Sequence, residues 1–124
     1  MEYKEYYITD KEGKSNCIIR SCCKLFNKGY DEVFNELMAV AKELGYEFYA
    51  EIEVFEKYLA DHQMIKQDYK DMKIKDLKLD KGEYAIFCWD KKDFYHMVAI
   101  IDNVLYDRTP ESFDLDVITV YKKV

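Results

Sequence analysis

Cys17, His96 and Asp107 follow one another in the chain order of nucleophile, base and orienting carboxylate. Cys17 begins an apolar helical stretch, Ser15-Asn16-Cys17-Ile18-Ile19-Arg20. About eighty residues later, His96 opens the apolar run His96-Met97-Val98-Ala99-Ile100-Ile101. The pair Asp102-Asn103 then turns the chain back through Val104-Leu105-Tyr106 to Asp107. A free thiol is mostly protonated at neutral pH. The first turn of a helix points unpaired N–H groups outward and carries about half a positive charge, so a thiolate at Cys17 gains stability there. A neighbouring imidazolium adds to that effect. Cys22 and Cys23 lie deeper in the same helix, where the effect fades. Cys22 reads as a small core residue, Cys23 as peripheral, and Cys88, between Phe87 and Trp89, as structural.

The hairpin selects the carboxylate. A tight turn at Asp102-Asn103 pairs Ile101 with Val104 and Ile100 with Leu105. Continued along the strands, Val98 faces Asp107 and His96 faces Thr109. Side chains alternate faces, so His96 and Asp107 are diagonal neighbours on one face, within reach of a hydrogen bond. Asp102 has the same parity but lies roughly 20 Å from His96 at strand rise, so it is a turn residue. His62, after Asp61 at a helix end, reads as a complement to the helix dipole. Cys17, Cys22, Cys23 and His96 fit a zinc site poorly. The Cys-x4-Cys-Cys spacing lacks a second paired cluster, and Cys17 and Cys23 leave a helix on different faces. No metal and no cofactor is expected.

Three helices and a set of strands must position these residues. Residues 3–8 suit a short edge strand, and Asp10-Lys11-Glu12-Gly13 a turn. The first helix runs from about Cys17 to Asn27, with Ser15 or Asn16 as its cap and Ile18, Ile19, Cys22, Leu25 and Phe26 on one face. Gly29 ends it. The second runs from about Asp31 to Leu44, with acidic residues at its start and Gly45 at its stop. The third spans roughly Glu51 to Asp61. Residues 66–81 read as a charged surface segment with one short helical turn. The last third changes to strand periodicity: Glu83–Trp89, a turn at Lys91-Lys92-Asp93, the hairpin 96–107 and Val117–Tyr121. The order is helices, then an antiparallel sheet, an α+β arrangement in which N-terminal helices pack on a C-terminal sheet. With 124 residues, 1–124 suits one domain.

The charge of −6 argues against nucleic acid as the main partner. No stretch reaches the ~18 apolar residues that span a membrane, and the start lacks the apolar core of a signal peptide. A cytoplasmic protein with four free thiols is expected. Twelve tyrosines should sit at the rim of the core, ring buried and hydroxyl wet.

A helix-borne Cys with a sheet-borne His and carboxylate resembles the papain-like cysteine peptidases. The chain looks more closely like small bacterial and phage proteins of that superfamily. The elements carrying the likeness are Asn16-Cys17-Ile18-Ile19-Arg20, Tyr30-Asp31-Glu32-Val33, and His96 through Tyr106-Asp107. The resemblance implies a minimal papain-like core with Cys17 as nucleophile, His96 as base and Asp107 as orienting group. Papain-like enzymes often carry a Gln several residues before the Cys as an oxyanion donor; here the comparable stretch holds Lys11 and Glu12. Asn16, with the Cys17 backbone N–H, is the candidate replacement, unless its side chain serves only as the helix cap. Arg20 reads as one half of a structural ion pair. The short chain leaves a shallow or partly absent substrate cleft.

The leading expectation is a thiol hydrolase that cleaves a peptide or isopeptide bond in a protein or peptide substrate. The rival is an inactive papain-like module, of phage or mobile-element origin, that binds or blocks a protein. Cys17 and His96 far apart, with no cleft between them, would favour the binder. Deamidation and acyl transfer use the same nucleophile and base, so the sequence leaves them open.

Overall fold

The computed structural model describes residues 1–8, 16–69 and 71–124. The turn expected at 10–13, the Ser15 cap, and Lys11 and Glu12 lie outside the described residues. The element order is β1 (Glu2–Glu5), α1 (Cys17–Phe26), α2 (Tyr30–Leu44), α3 (Ile52–Asp61), β2 (Met64–Gln67), β3 (Glu83–Trp89), β4 (Tyr95–Ile101), β5 (Val104–Asp107) and β6 (Asp116–Lys123). This is an α+β fold with its helices N-terminal to most of its strands.

The sheet has six strands in the order β1-β5-β4-β3-β6-β2. It is mixed, not wholly antiparallel: β1 runs parallel to β5, pairing Glu2 with Val104 and Glu5 with Asp107. A parallel pair needs a long crossover, and here everything from α1 to β4 lies between the two strands. The β4–β5 hairpin has the expected register, Ile101 with Val104 and Ile100 with Leu105. Its turn residues Asp102 and Asn103 both have positive φ (49° and 66°), the backbone that a two-residue hairpin turn requires.

One face of the sheet packs on the helices. Phe87, Met97 and Ala99 from the strands meet Ile19, Leu37 and Phe55 from the helices in one cluster. Helix α1 is buried on nearly every side and not along a single stripe, because Ile18, Ile19, Cys22 and Cys23 all enter the core. Cys23, expected at the periphery, is 4% exposed. Helix α1 ends at Asn27, whose left-handed φ of 54° turns the chain and whose N–H reaches the Cys23 carbonyl. Gly29, expected to end α1, instead precedes α2 as its N-cap. Gly45 (φ 85°) closes α2 as expected, since a residue without Cβ takes that backbone freely.

The opposite face is covered as well. The segment read as surface does carry one 3-10 turn, Ile74–Asp76. Yet Ile74, Leu77 and Leu79 are buried against Ile86, Val98 and Ile100. A sheet with apolar side chains on both faces needs a second layer, and this segment supplies it. Strand β2, which the sequence reading did not anticipate, pairs antiparallel with β6 at the far edge. Several tyrosines sit as expected. The buried rings of Tyr58 and Tyr121 send their hydroxyls to Glu36 (2.6 Å) and Glu56 (2.7 Å).

Candidate active site

Strand β5 pairs with β4 only from Ala99 to Ile101, so the β4 edge from Tyr95 to Val98 is left to another partner. Helix α1 takes that place, and Ser21 donates from its hydroxyl to the Met97 carbonyl at 3.0 Å. This contact sets the start of α1 beside the start of β4. The Arg20 N–H bonds the Asn16 carbonyl at 2.8 Å, so Cys17 occupies the first helical position. Its own N–H is one of the orphan donors of a helix N-terminus. Asn16 stands at the cap position, but its side chain makes no cap hydrogen bond. Its carboxamide oxygen instead accepts from the Tyr30 hydroxyl at 3.3 Å.

Cys17, His96 and Asp107 come together. His96 Nε2 lies 2.8 Å from Asp107 Oδ2. With Nε2 so engaged, Nδ1 is the ring nitrogen left for Cys17, which lines the same two clefts as His96. The face shared by His96 and Asp107 is the one expected from the hairpin, although the ladder itself stops short of both. From the neighbouring strand, the Cys88 thiol donates to the His96 carbonyl at 3.4 Å, which gives this cysteine its structural role. Phe94 stacks on the imidazole with ring centroids 5.4 Å apart.

Asp107 is 1% exposed and held from four directions. Arg20 donates to Oδ1 at 3.0 Å, and the Arg108 N–H to the same oxygen at 2.8 Å. Ser112 donates its hydroxyl to Oδ2, which also faces His96. The Asp107 carbonyl accepts from the Tyr6 N–H (2.8 Å) and the Tyr3 hydroxyl (3.0 Å) of the β1 segment. Arg20 is thus the ion-pair residue the sequence suggested. It sits three positions after Cys17, a spacing that places both on one side of the helix. Ser112, Phe94 and Tyr3 were not foreseen. Ser112 has a local signal: Thr109-Pro110-Glu111 opens a short 3-10 helix, Pro110–Asp114, with Thr109 as its cap, and that helix carries Ser112 back to Asp107.

The electrostatics favour a charged pair. Burial pushes the Cys17 thiol up, but the hydrogen bond and charge of His96 outweigh it and leave the pKa below the ordinary value. Burial alone would lower His96; its bonds to Asp107 and Cys17 instead raise it to about 9. Burial likewise works against the Asp107 carboxylate, yet His96 and Ser112 hold its pKa down. Two other thiols go the opposite way. Cys22 and Cys88 are raised by burial and stay protonated. Of these three, the one shifted towards the thiolate is the half-buried Cys17. His62 has a separate structural place: Nδ1 lies 2.8 Å from the Tyr58 carbonyl, and the ring stacks on Phe26. Among the described residues, no three His, Cys, Asp or Glu side chains group in a way that could hold a metal ion.

Cys17 and His96 stand between two clefts. One, of about 820 Å³, has Asn16, Arg20, Asp93, Arg108 and Thr109 in its walls beside the ring of Phe94. The other, of about 400 Å³, is walled by Ile18, Ala50, Glu51, Ile52, Phe55 and Phe87. Tyr95 belongs to both. The arrangement supplies a nucleophile, a proton carrier, an orienting carboxylate and room on either side for a substrate. Searches against protein-family models, curated proteins and solved structures found no match to this chain.

Proposed function

We propose that the protein is a papain-like thiol hydrolase that cleaves a peptide or isopeptide bond. The observation that carries this reading is the placement of Cys17 beside His96 in the walls of the same two clefts, with His96 bonded to the buried Asp107. Cys17 Sγ attacks the substrate carbonyl carbon as a thiolate. The electron pair of the C=O bond moves to oxygen, and the oxyanion meets the Cys17 N–H and the Asn16 carboxamide N–H. The Tyr30 hydroxyl donates to the Asn16 carboxamide oxygen and so helps to orient that group. Collapse of the intermediate breaks the C–N bond, and His96 gives its proton to the departing amine. A water then yields a proton to His96 and attacks the thioester, releasing the acid and restoring the thiolate. Asp107 fixes the ring and its charge throughout.

Cys17 and His96 far apart, with no cleft between them, would have favoured the binding module; their shared place in two clefts supports the hydrolase reading. A reducing, cytoplasmic setting accords with four unpaired thiols, and no helix among the described residues is long and apolar enough to cross a membrane. The test is site-resolved labelling. A small electrophile such as iodoacetamide, used below stoichiometry at neutral pH, should modify Cys17 before Cys22, Cys23 and Cys88. The substitution His96→Ala should remove that preference. Equal labelling of all four in the folded protein would refute the reading.

A further inference from the structure

The apolar cleft beside Cys17 does not end at its own walls. Ile52, Phe87 and Tyr95 also form one side of a second groove of about 450 Å³, which continues over Trp89 to Tyr69 and Ile118. Its exposed walls are large apolar groups: Ile52 is 51% exposed, Tyr95 52%, Tyr69 38% and Ile118 39%. Contiguous apolar surface of this kind marks a binding site more often than chance. Its floor is stiff. Tyr95 stacks on Phe87 (5.8 Å, 14°) and on Trp89 (5.4 Å, 24°). The two charges in the wall satisfy each other, Lys91 Nζ to Asp71 Oδ2 at 2.9 Å, so the groove offers no unpaired charge to an occupant.

We propose that this groove binds an extended apolar stretch of the substrate polypeptide, on one side of the bond that Cys17 attacks. The proposal rests on the thiol-hydrolase reading and names its substrate class: a polypeptide read over several residues, not a small amide. The occupant follows from continuity, because a chain seated in the cleft at Cys17 runs directly into the groove across shared walls. The reach follows from strand spacing. From β4, which bears His96, to β6, which bears Ile118, are two strand spacings, roughly 10 Å. An extended chain covers that distance in about three residues. The opposite cleft differs in setting Arg20, Asp93 and Arg108 beside its aromatic wall of Phe94.

The test uses peptides carrying a thiol-reactive unsaturated group in the backbone, extended by zero to six residues on either side. The readout is the second-order rate of Cys17 modification by mass spectrometry. Apolar residues on one side should raise the rate at least about tenfold, the value of partly burying one or two side chains. The gain should level off near three residues, and serine or aspartate in the same places should give none. Ile118→Asp and Tyr69→Ser, both at exposed positions, should abolish the gain while leaving the iodoacetamide rate at Cys17 unchanged. A reactive Cys17 whose rate ignores peptide length and composition would overturn the proposal and spare the hydrolase reading. A gain that survives both substitutions would also overturn it, as would a concentration-dependent dimer, seen by sedimentation, that those substitutions dissolve. An unreactive Cys17 would fail the hydrolase reading itself.

Discussion

At pH 6 a thiol with the ordinary pKa of 9.0 is about 0.1% thiolate. Cys17 has a lowered pKa and His96 keeps its proton up to about 9, so the thiol ionises at lower pH than an unperturbed one while its imidazolium is still charged. Below both pKa values, each unit of lowering raises the thiolate fraction about tenfold. Lower basicity takes back roughly threefold in intrinsic reactivity per unit of pKa. The net expectation is alkylation at pH 6 about threefold faster, per unit of lowering, than at an unperturbed thiol, with a first inflection below 9.0. A second inflection near 9 should follow as His96 loses its proton. The assay is the pseudo-first-order rate of iodoacetamide modification at Cys17 between pH 5 and 10, followed by mass spectrometry. His96→Ala leaves burial as the dominant influence, so the first inflection should move up to or above the ordinary thiol value. Asp107→Asn removes a charge that raises His96, so the second inflection should move to lower pH. A wild-type profile that rises as a single sigmoid through the ordinary thiol range, unchanged in His96→Ala, would refute the reasoning.

The same pair dictates how stability depends on pH. His96 is raised in the folded state, so its own contribution is complete below 6.5 and fades as pH rises through about 9. Cys17 is lowered, so its contribution is complete above 9.0 and fades as pH falls through the folded value. Below about 9 the two slopes oppose each other, so urea unfolding free energies should change less with pH than either group alone would dictate. In Cys17→Ser only the imidazole term survives, and stability should fall above pH 6.5 by up to about 1.4 kcal/mol per unit; a flat profile in that variant would contradict the assignment. Arg20→Met breaks a buried pair with Asp107, at 5% and 1% side-chain exposure. Its loss should cost about 3 kcal/mol or more by urea denaturation, because the carboxylate stays buried with one fewer partner; a loss under about 1 kcal/mol would count against the pair's role.

The parts of the site that could be read from the sequence are those with local signals. A polar residue followed by an apolar helical run located Cys17, and a two-residue turn between apolar strands fixed the face shared by His96 and Asp107. The partners of Asp107 come from far along the chain. Tyr3 lies 104 residues away, and no local pattern announces the parallel pairing of β1 with β5. Strand β2 escaped because it is four residues long, half-polar and at an edge, where Ile65 and Lys66 are exposed. The burial of Ile74, Leu77 and Leu79 escaped because their charged neighbours dominate the segment's composition, while alternate side chains still reach the sheet. Cys23 was misplaced because α1 was read as having one apolar face, whereas the sheet edge and α2 enclose it.

The β1–β5 pairing has a consequence for the order in which the thiol becomes reactive. During synthesis Cys17 leaves the ribosome long before His96, and Asp107 and Ser112 follow later still. Until they arrive, the thiol has neither its imidazole nor the carboxylate that charges it, and it behaves as an ordinary cysteine. The Asp107 carbonyl is then fastened by Tyr3 and Tyr6, which precede Cys17 in the chain. The charged environment of the thiol thus forms together with some of the longest contacts among the described residues, because topology withholds the imidazole until the sheet is nearly whole.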